Sequence, residues 1–163
     1  MDPSLEGLGP PPFRFTPSRT PHMQSAAYSI PFRLLATVIV FGAAVWMLLL
    51  WQSGKLGGGT TLAAWFLAAL AMMLYTWWCI VRSVTTLDGK QLHQTWIWTK
   101  RMELRELAYA RVVRIAGLEW LIAPRIYVRT LLGKFAVFYA ADPKMVSEFD
   151  RLAAELAAFR TQR

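Results

Sequence analysis

Nucleophilic or acid–base catalysis needs a histidine within reach of a serine, cysteine or carboxylate. The sequence supplies two histidines, His22 and His93, and one cysteine, Cys79. His93 falls in a segment that reads as a β-strand and Cys79 inside a charge-free apolar run, so no nucleophile–base pair can be assembled from them. Glu103 and Glu106 stand three apart, which on a strand points them to opposite faces, and Arg101 and Arg105 beside them suggest surface ion pairs. Gly54-Lys55 and Gly133-Lys134 lack both the Gly-x-x-x-x spacing before them and the Ser or Thr after them that a phosphate loop requires. No metal cluster, cofactor motif or small-molecule substrate site is evident. The residues read as those of a protein that is not an enzyme.

Two sets of side chains are suited to binding instead. Residues 82–134 hold ten Lys/Arg against four acids, whereas residues 135–163 hold four of each. Within the basic stretch Lys90, Lys100 and Arg101 are candidate contacts for anionic lipid headgroups, each worth on the order of 1 kcal/mol close to a charged leaflet. The same residues also satisfy a topological bias toward positive cytoplasmic segments without binding anything. Trp96, Trp98 and Trp120 form the second set, candidate contacts for a partner or a membrane interface. Trp96 and Trp98 share one face of a predicted strand, and two adjacent same-face indoles are hard to bury together, so one is expected in the core and one at an interface.

What must position these residues follows from hydropathy. The chain has 163 residues, 55% of them hydrophobic and only 17% charged, with mean hydropathy +0.32. Soluble domains carry about 25% charge. Leu34–Trp51 and Leu62–Val81 contain no charge at all. As helices they would be roughly 27 and 30 Å long, matching a hydrocarbon core of about 30 Å. Buried helices of a soluble bundle would show a polar stripe, and neither run has one. A cleaved signal peptide is also excluded for the first run, because a long segment that includes Asp2 and Glu6 precedes it and no small-residue cleavage site follows.

Basic residues set the expected orientation. Arg14, Arg19 and Arg33 precede the first span, and Arg82, Lys90, Lys100 and Arg101 follow the second. The Gly-rich loop 52–61 between them carries only Lys55. Both termini are therefore expected in the cytoplasm, with a two-helix hairpin over 32–81 crossing the membrane. Gly42, Ala43 and Ala44 on one helix and Ala68, Ala69 and Ala71 on the other are available for close packing. Residues 1–31 hold seven of the nine prolines and are expected to form a disordered cytoplasmic tail.

From Arg82 to Arg163 the pattern changes to short segments rich in Val, Ile, Thr, Trp and Tyr, six or seven antiparallel strands by count. Ser83–Leu87 and Gln91–Thr99 flank Asp88-Gly89, a tight-turn pair that tolerates positive φ. After a turn at Lys100-Arg101 come Met102–Leu107, Arg111–Ala116, Arg125–Leu131 and Phe135–Ala140. Asp142-Pro143 then opens a helix whose apolar stripe is Met145, Val146, Phe149, Leu152, Ala153, Leu156 and Phe159.

Strands closed by one terminal helix directly after a helical hairpin resemble the pleckstrin-homology-like (PH-like) domains of small bacterial integral membrane proteins. The segments that carry the resemblance are 100–107, 111–115, 127–130, 133–135 and the Asp142-Pro143 helix, within residues 82–160. The resemblance implies an α+β membrane protein: a transmembrane hairpin, then a PH-like antiparallel sheet or barrel closed by an amphipathic helix over 82–163. It implies a binding or scaffolding role with no shared catalytic residues. The expected setting is the cytoplasmic (inner) membrane, with membrane lipids and another membrane protein as partners. A pI near 10.2 raises nucleic acid as a ligand, but topology accounts for the surplus charge and no helix carries a basic face, so none is expected.

Overall fold

A computed structural model describes residues 12–18, 20, 22–54 and 60–162. The charge-free runs form its two longest helices, α1 (Ile30–Gln52) and α2 (Thr60–Arg82), each of 23 residues. Ser29 caps α1, its Oγ accepting from the Phe32 amide at 3.3 Å, and Pro31 occupies the first turn, where no amide partner is lost. The mean hydropathies of the apolar windows are 2.4 and 1.8, and only 6% and 0% of those windows is buried. Both helices are long and apolar enough to cross a membrane.

The seam between them differs from the small-residue contact expected. Ala68, Ala69 and Ala71 face outward, and a Cβ on Gly42 would meet nothing within 4 Å. On α1 Ala43 and Ala44 are half-buried as expected. The less exposed positions also include Thr37, Val40 and Met47 on α1 and Leu70, Met73 and Trp77 on α2, three and four residues apart. Trp77 holds the pair: its indole N–H donates to Thr37 Oγ1 at 2.9 Å and its ring meets Phe41 edge-on. A bulky side chain thus fills a gap that alanines would have closed.

Seven strands are found among the described residues. They are β1 (His22–Ala26), β2 (Val84–Asp88), β3 (Gln91–Gln94), β4 (Lys100–Glu103), β5 (Leu107–Val113), β6 (Arg125–Thr130) and β7 (Phe135–Tyr139). They make two antiparallel sheets, ordered β1-β2-β3-β4 and β5-β6-β7, followed by α3 (Pro143–Thr161). Among the described residues no strand pairing joins the sheets, and no closed barrel is found. Bonds outside the ladders bridge them: Thr85 Oγ1 donates to the Tyr139 carbonyl at 2.6 Å, the Tyr139 amide donates to Gln94 Oε1 at 3.4 Å, and the Ala141 amide just after β7 donates to the Ala26 carbonyl of β1 at 2.8 Å. Asp142 caps α3 through the Lys144 amide, and Met145, Val146, Phe149, Leu152 and Leu156 are buried as its stripe requires.

The largest departure from the sequence reading is the N-terminal segment. Its described part is not a disordered tail. From residue 12 to 18 the chain is extended and alternates, with Phe13, Phe15 and Pro17 buried and Arg14, Thr16 and Ser18 exposed. Phe13 and Phe15 belong to the same core cluster as Leu87, Leu107, Phe138 and Phe149. Polar contacts hold this strap on α3, where the Ser18 amide and hydroxyl donate to the buried Glu148 carboxylate and Arg151 donates to the Thr16 carbonyl. β1 then pairs with β2 over its whole length, from His22↔Asp88 to Ala26↔Val84. The β-rich unit therefore begins well before residue 82. Proline excludes ladder bonding only where it stands, and β1 contains none.

Local details differ for identifiable reasons. The Asp88-Gly89 hairpin forms, but without positive φ: a Cβ at Gly89 would stand 3.3 Å from the Phe15 carbonyl, so the glycine admits the strap rather than a left-handed turn. The predicted strand 91–99 stops at Gln94. The Thr95 amide still donates to the Val84 carbonyl in register, but the Val84 amide is taken by the Thr95 hydroxyl at 3.1 Å and the Thr95 carbonyl by the Ser83 hydroxyl, which ends the ladder. Lys100-Arg101 is strand rather than turn, opposite Gln94 and His93. Glu103 pairs with Arg105 at 3.5 Å on the surface, and Glu106 lies in the 3-10 turn 104–106, so the two carboxylates form no site.

Candidate functional site

The helical pair is inserted into a β-hairpin. β1 ends at Ala26 and α1 begins at Ile30; α2 ends at Arg82 and β2 begins at Val84. The Ala27 amide donates to the Ser83 carbonyl at 3.1 Å, closing the ladder between the two helix roots. Neither junction has room for a flexible linker. The β-rich unit is thus mounted on the helices at two adjacent points.

Two loops flank these roots. Beside α2, the bend 95–99 is held by the Ser83 hydroxyl, which donates to the Thr95 carbonyl at 2.6 Å. This bend presents Trp98 at 74% exposure, while Trp96 is half-buried with the Lys100 ammonium 5.5 Å from its ring centre. Beside α1, the loop 114–124 is held by the Ser29 hydroxyl, which donates to the Leu121 carbonyl at 2.5 Å. It presents Trp120 at 62% exposure, next to Ile30 and Pro31 across a groove of about 480 Å³. Arg82 lies over the Trp78 ring at 4.1 Å at the end of α2. The result is a collar of tryptophan and cation around the level where the helices enter the β-rich unit.

Of the residues selected by sequence, the structure gathers Trp96, Trp98, Trp120 and Lys100 at this collar. The exposed Arg101 is one residue further out on β4. Lys90 is not part of it. It lies in the β2–β3 turn, beyond the far end of β2, and strand geometry carries it roughly 20 Å from the roots, more than two Debye lengths at physiological salt. Its carbonyl accepts from Leu104, at the opposite end of the sheet. The two indoles differ in exposure, but Trp96 is half-buried and outside the core cluster rather than in the core as expected, and the bend 95–99, not a shared strand face, sets the difference.

Sequence reasoning missed the aromatic stack on the α1 side. Tyr28 lies 5.2 Å from Phe32 and 5.8 Å from Tyr139 between ring centres, tying the α1 root to the end of β7. Burial, and then the neighbouring Tyr139 hydroxyl, push the Tyr28 hydroxyl above the ordinary tyrosine value. A raised value favours the neutral form in the folded state, so the stabilisation is complete below about pH 10 and is lost as pH rises through the folded-state value. Absorbance titration at 295 nm should show one late-ionising tyrosine that disappears in Tyr28→Phe. If the same late component persists in that variant, the assignment to Tyr28 is wrong.

Among the described residues no group of three His, Cys, Asp or Glu side chains could hold a metal ion. Comparison with protein-family models, curated proteins and solved structures finds no match.

Proposed function

We propose that this chain is a non-enzymatic, membrane-anchored binding protein of the cytoplasmic membrane. Its helical hairpin spans the bilayer with both termini cytoplasmic, and its β-rich unit is a PH-like module pinned to the inner leaflet as an accessory factor for another membrane protein. One observation carries the reading. Two helices with almost no buried residues in their apolar windows are rooted side by side in a single β-hairpin. Bare apolar surface on that scale needs a cover, since soluble monomers rarely expose patches above a few hundred Å². Roots on one sheet put both cytoplasmic segments on the same side of any bilayer the hairpin crosses. Four plus three antiparallel strands followed by a C-terminal helix support the PH-like reading.

Lipid-headgroup binding by the collar is a second reading, favoured by exposed Trp98 and Trp120 and by Lys100 beside the α2 root. Amphipathic indoles collect at bilayer interfaces, and cations near an anionic leaflet contribute about 1 kcal/mol each. The test reconstitutes the full chain in vesicles containing anionic lipid with brominated acyl chains. If the collar rests on lipid, the bromine-quenched share of the emission falls in Trp98→Phe and in Trp120→Phe. Reversal of Lys100 and Arg101 to Glu should also reduce quenching at the remaining indoles. An unchanged quenched share in all three sinks the lipid reading. Copurification of the full chain in mild detergent addresses the accessory role: a stoichiometric protein partner supports it, and a monodisperse species carrying only lipid counts against it.

A further inference from the structure

The β5-β6-β7 sheet covers the core with one face only. Leu107, Ile126, Val128 and Phe138 point inward, into the core cluster that also contains the α3 side chains. Register sorts the residues of the opposite face into cross-strand rows; the third, Val113, Arg125, Tyr139, meets the α1 root where Tyr139 stacks on Tyr28. The two rows beyond it make no ring contact, ion pair or side-chain hydrogen bond to an element outside this sheet among the described residues. Furthest from the helix roots is the row Tyr109, Arg129, Phe135; next comes Arg111, Tyr127, Val137. Tyr109 and Phe135 are 53% and 61% exposed, and the turn beyond them adds Leu131 and Leu132 at 65% and 81%. Arg125, in the third row, lies over Tyr127 with its guanidinium carbon 5.4 Å from the ring centre, and Tyr127 packs against Phe135 at 5.6 Å. No acidic residue stands in any of the three rows, and among the described residues Arg111, Arg125 and Arg129 form no ion pair.

We propose that this face docks an extended segment of a partner protein in which acidic and apolar residues occur in turn at every second position, so that both kinds face the sheet. Each arginine stands beside aromatic or apolar neighbours, so a carboxylate comb would find a guanidinium in each row while its apolar positions cover Tyr109, Tyr127 and Phe135. Arg, Tyr and Phe are the residue types enriched at protein interfaces, and Arg takes carboxylates in bidentate geometry. A bilayer fits poorly, because β6 leads away from the helix roots and leaves only the Arg125 end near them. A nucleic acid would gain nothing from Leu131 and Leu132. The inference deepens the accessory reading by naming the partner's chemistry and rests on it.

The test uses the full chain in detergent and a fluorescein-labelled ten-residue peptide in which single serines separate Glu and Leu taken in turn, placing both types on one face of an extended chain. Saturable binding that weakens with salt is expected. The pair Arg111→Glu and Arg129→Glu should weaken it about a hundredfold, about tenfold for each charge-assisted contact. Arg111→Gln with Arg129→Gln removes charge without reversing it and reads the same loss if the Glu pair fails to fold. Equal affinity in wild type and the Gln pair overturns the proposal. So does equal binding of the same peptide with Lys in place of Glu, or tighter binding of a single-stranded deoxythymidine oligomer of matched charge. Carbonate extraction of the same variants reports anchoring separately, so failure of the docking face and failure of the membrane reading are distinguishable.

Discussion

Phe15→Ala should destabilise the β-rich unit by about 3–5 kcal/mol, the range for emptying a buried phenylalanine site. Phe15 is 2% exposed, shares the core with Leu87, Phe138 and Phe149, and carries the Arg151 guanidinium over its ring at 4.7 Å. Domains of this size are stable by only about 5–15 kcal/mol, so the loss is a large fraction of the total. Denaturant unfolding of the full chain in detergent reads it directly. Arg14→Ala, at the exposed position between the two buried phenylalanines, should fall within about 0.5 kcal/mol of wild type. A neutral Phe15→Ala would return residues 12–18 to the status of a loose tail.

Ala71→Asp should impair membrane insertion by about 2.5–3.5 kcal/mol, the penalty for an aspartate at the centre of a spanning helix. Ala71 lies near the middle of α2 and faces outward. In a water-soluble protein an exposed alanine-to-aspartate change on a helix surface would be close to harmless. The carbonate-resistant fraction of the full chain separates the two situations. A marked shift to the soluble fraction is expected; an unchanged membrane fraction with normal folding would argue that lipid does not cover this face. Ser53→Asp, beyond the end of α1, is the matched control and should leave the fraction unaltered.

The helices were legible because the absence of charge from Leu34 to Trp51 and from Leu62 to Val81 is a strong, local signal. The C-terminal helix was legible for the same reason, with its Asp142 cap and its three-and-four spacing both local. The strap was hidden by composition. Its prolines suggest disorder, and the alternation of Phe13, Phe15 and Pro17 becomes meaningful only once α3 and the β2–β3 turn offer it a groove. β1 was missed because its partner strand lies on the far side of both helices in the chain, beyond the reach of any local pattern. Lys90 shows the same limit at the site. It stands close to Arg82 in the chain, and only the direction of β2 reveals that it moves away from the helix roots. The outward arginines were counted in the sequence as part of a basic stretch. Their alternation with aromatics depends on a register that includes an irregularity between Leu107 and Tyr109, which no spacing rule supplies.

One labelling experiment bears on whether the hairpin threads a bilayer and holds the β-rich unit beneath it. Single cysteines replace Ser53 and Gln162 in a Cys79→Ser background, and intact cells are treated with a membrane-impermeant maleimide. Labelling of the Ser53 position from outside, with the Gln162 position reached only after lysis, is the expected pattern. Equal labelling of both positions from outside, or of neither before lysis, would mean that the two helices do not cross the membrane in this way.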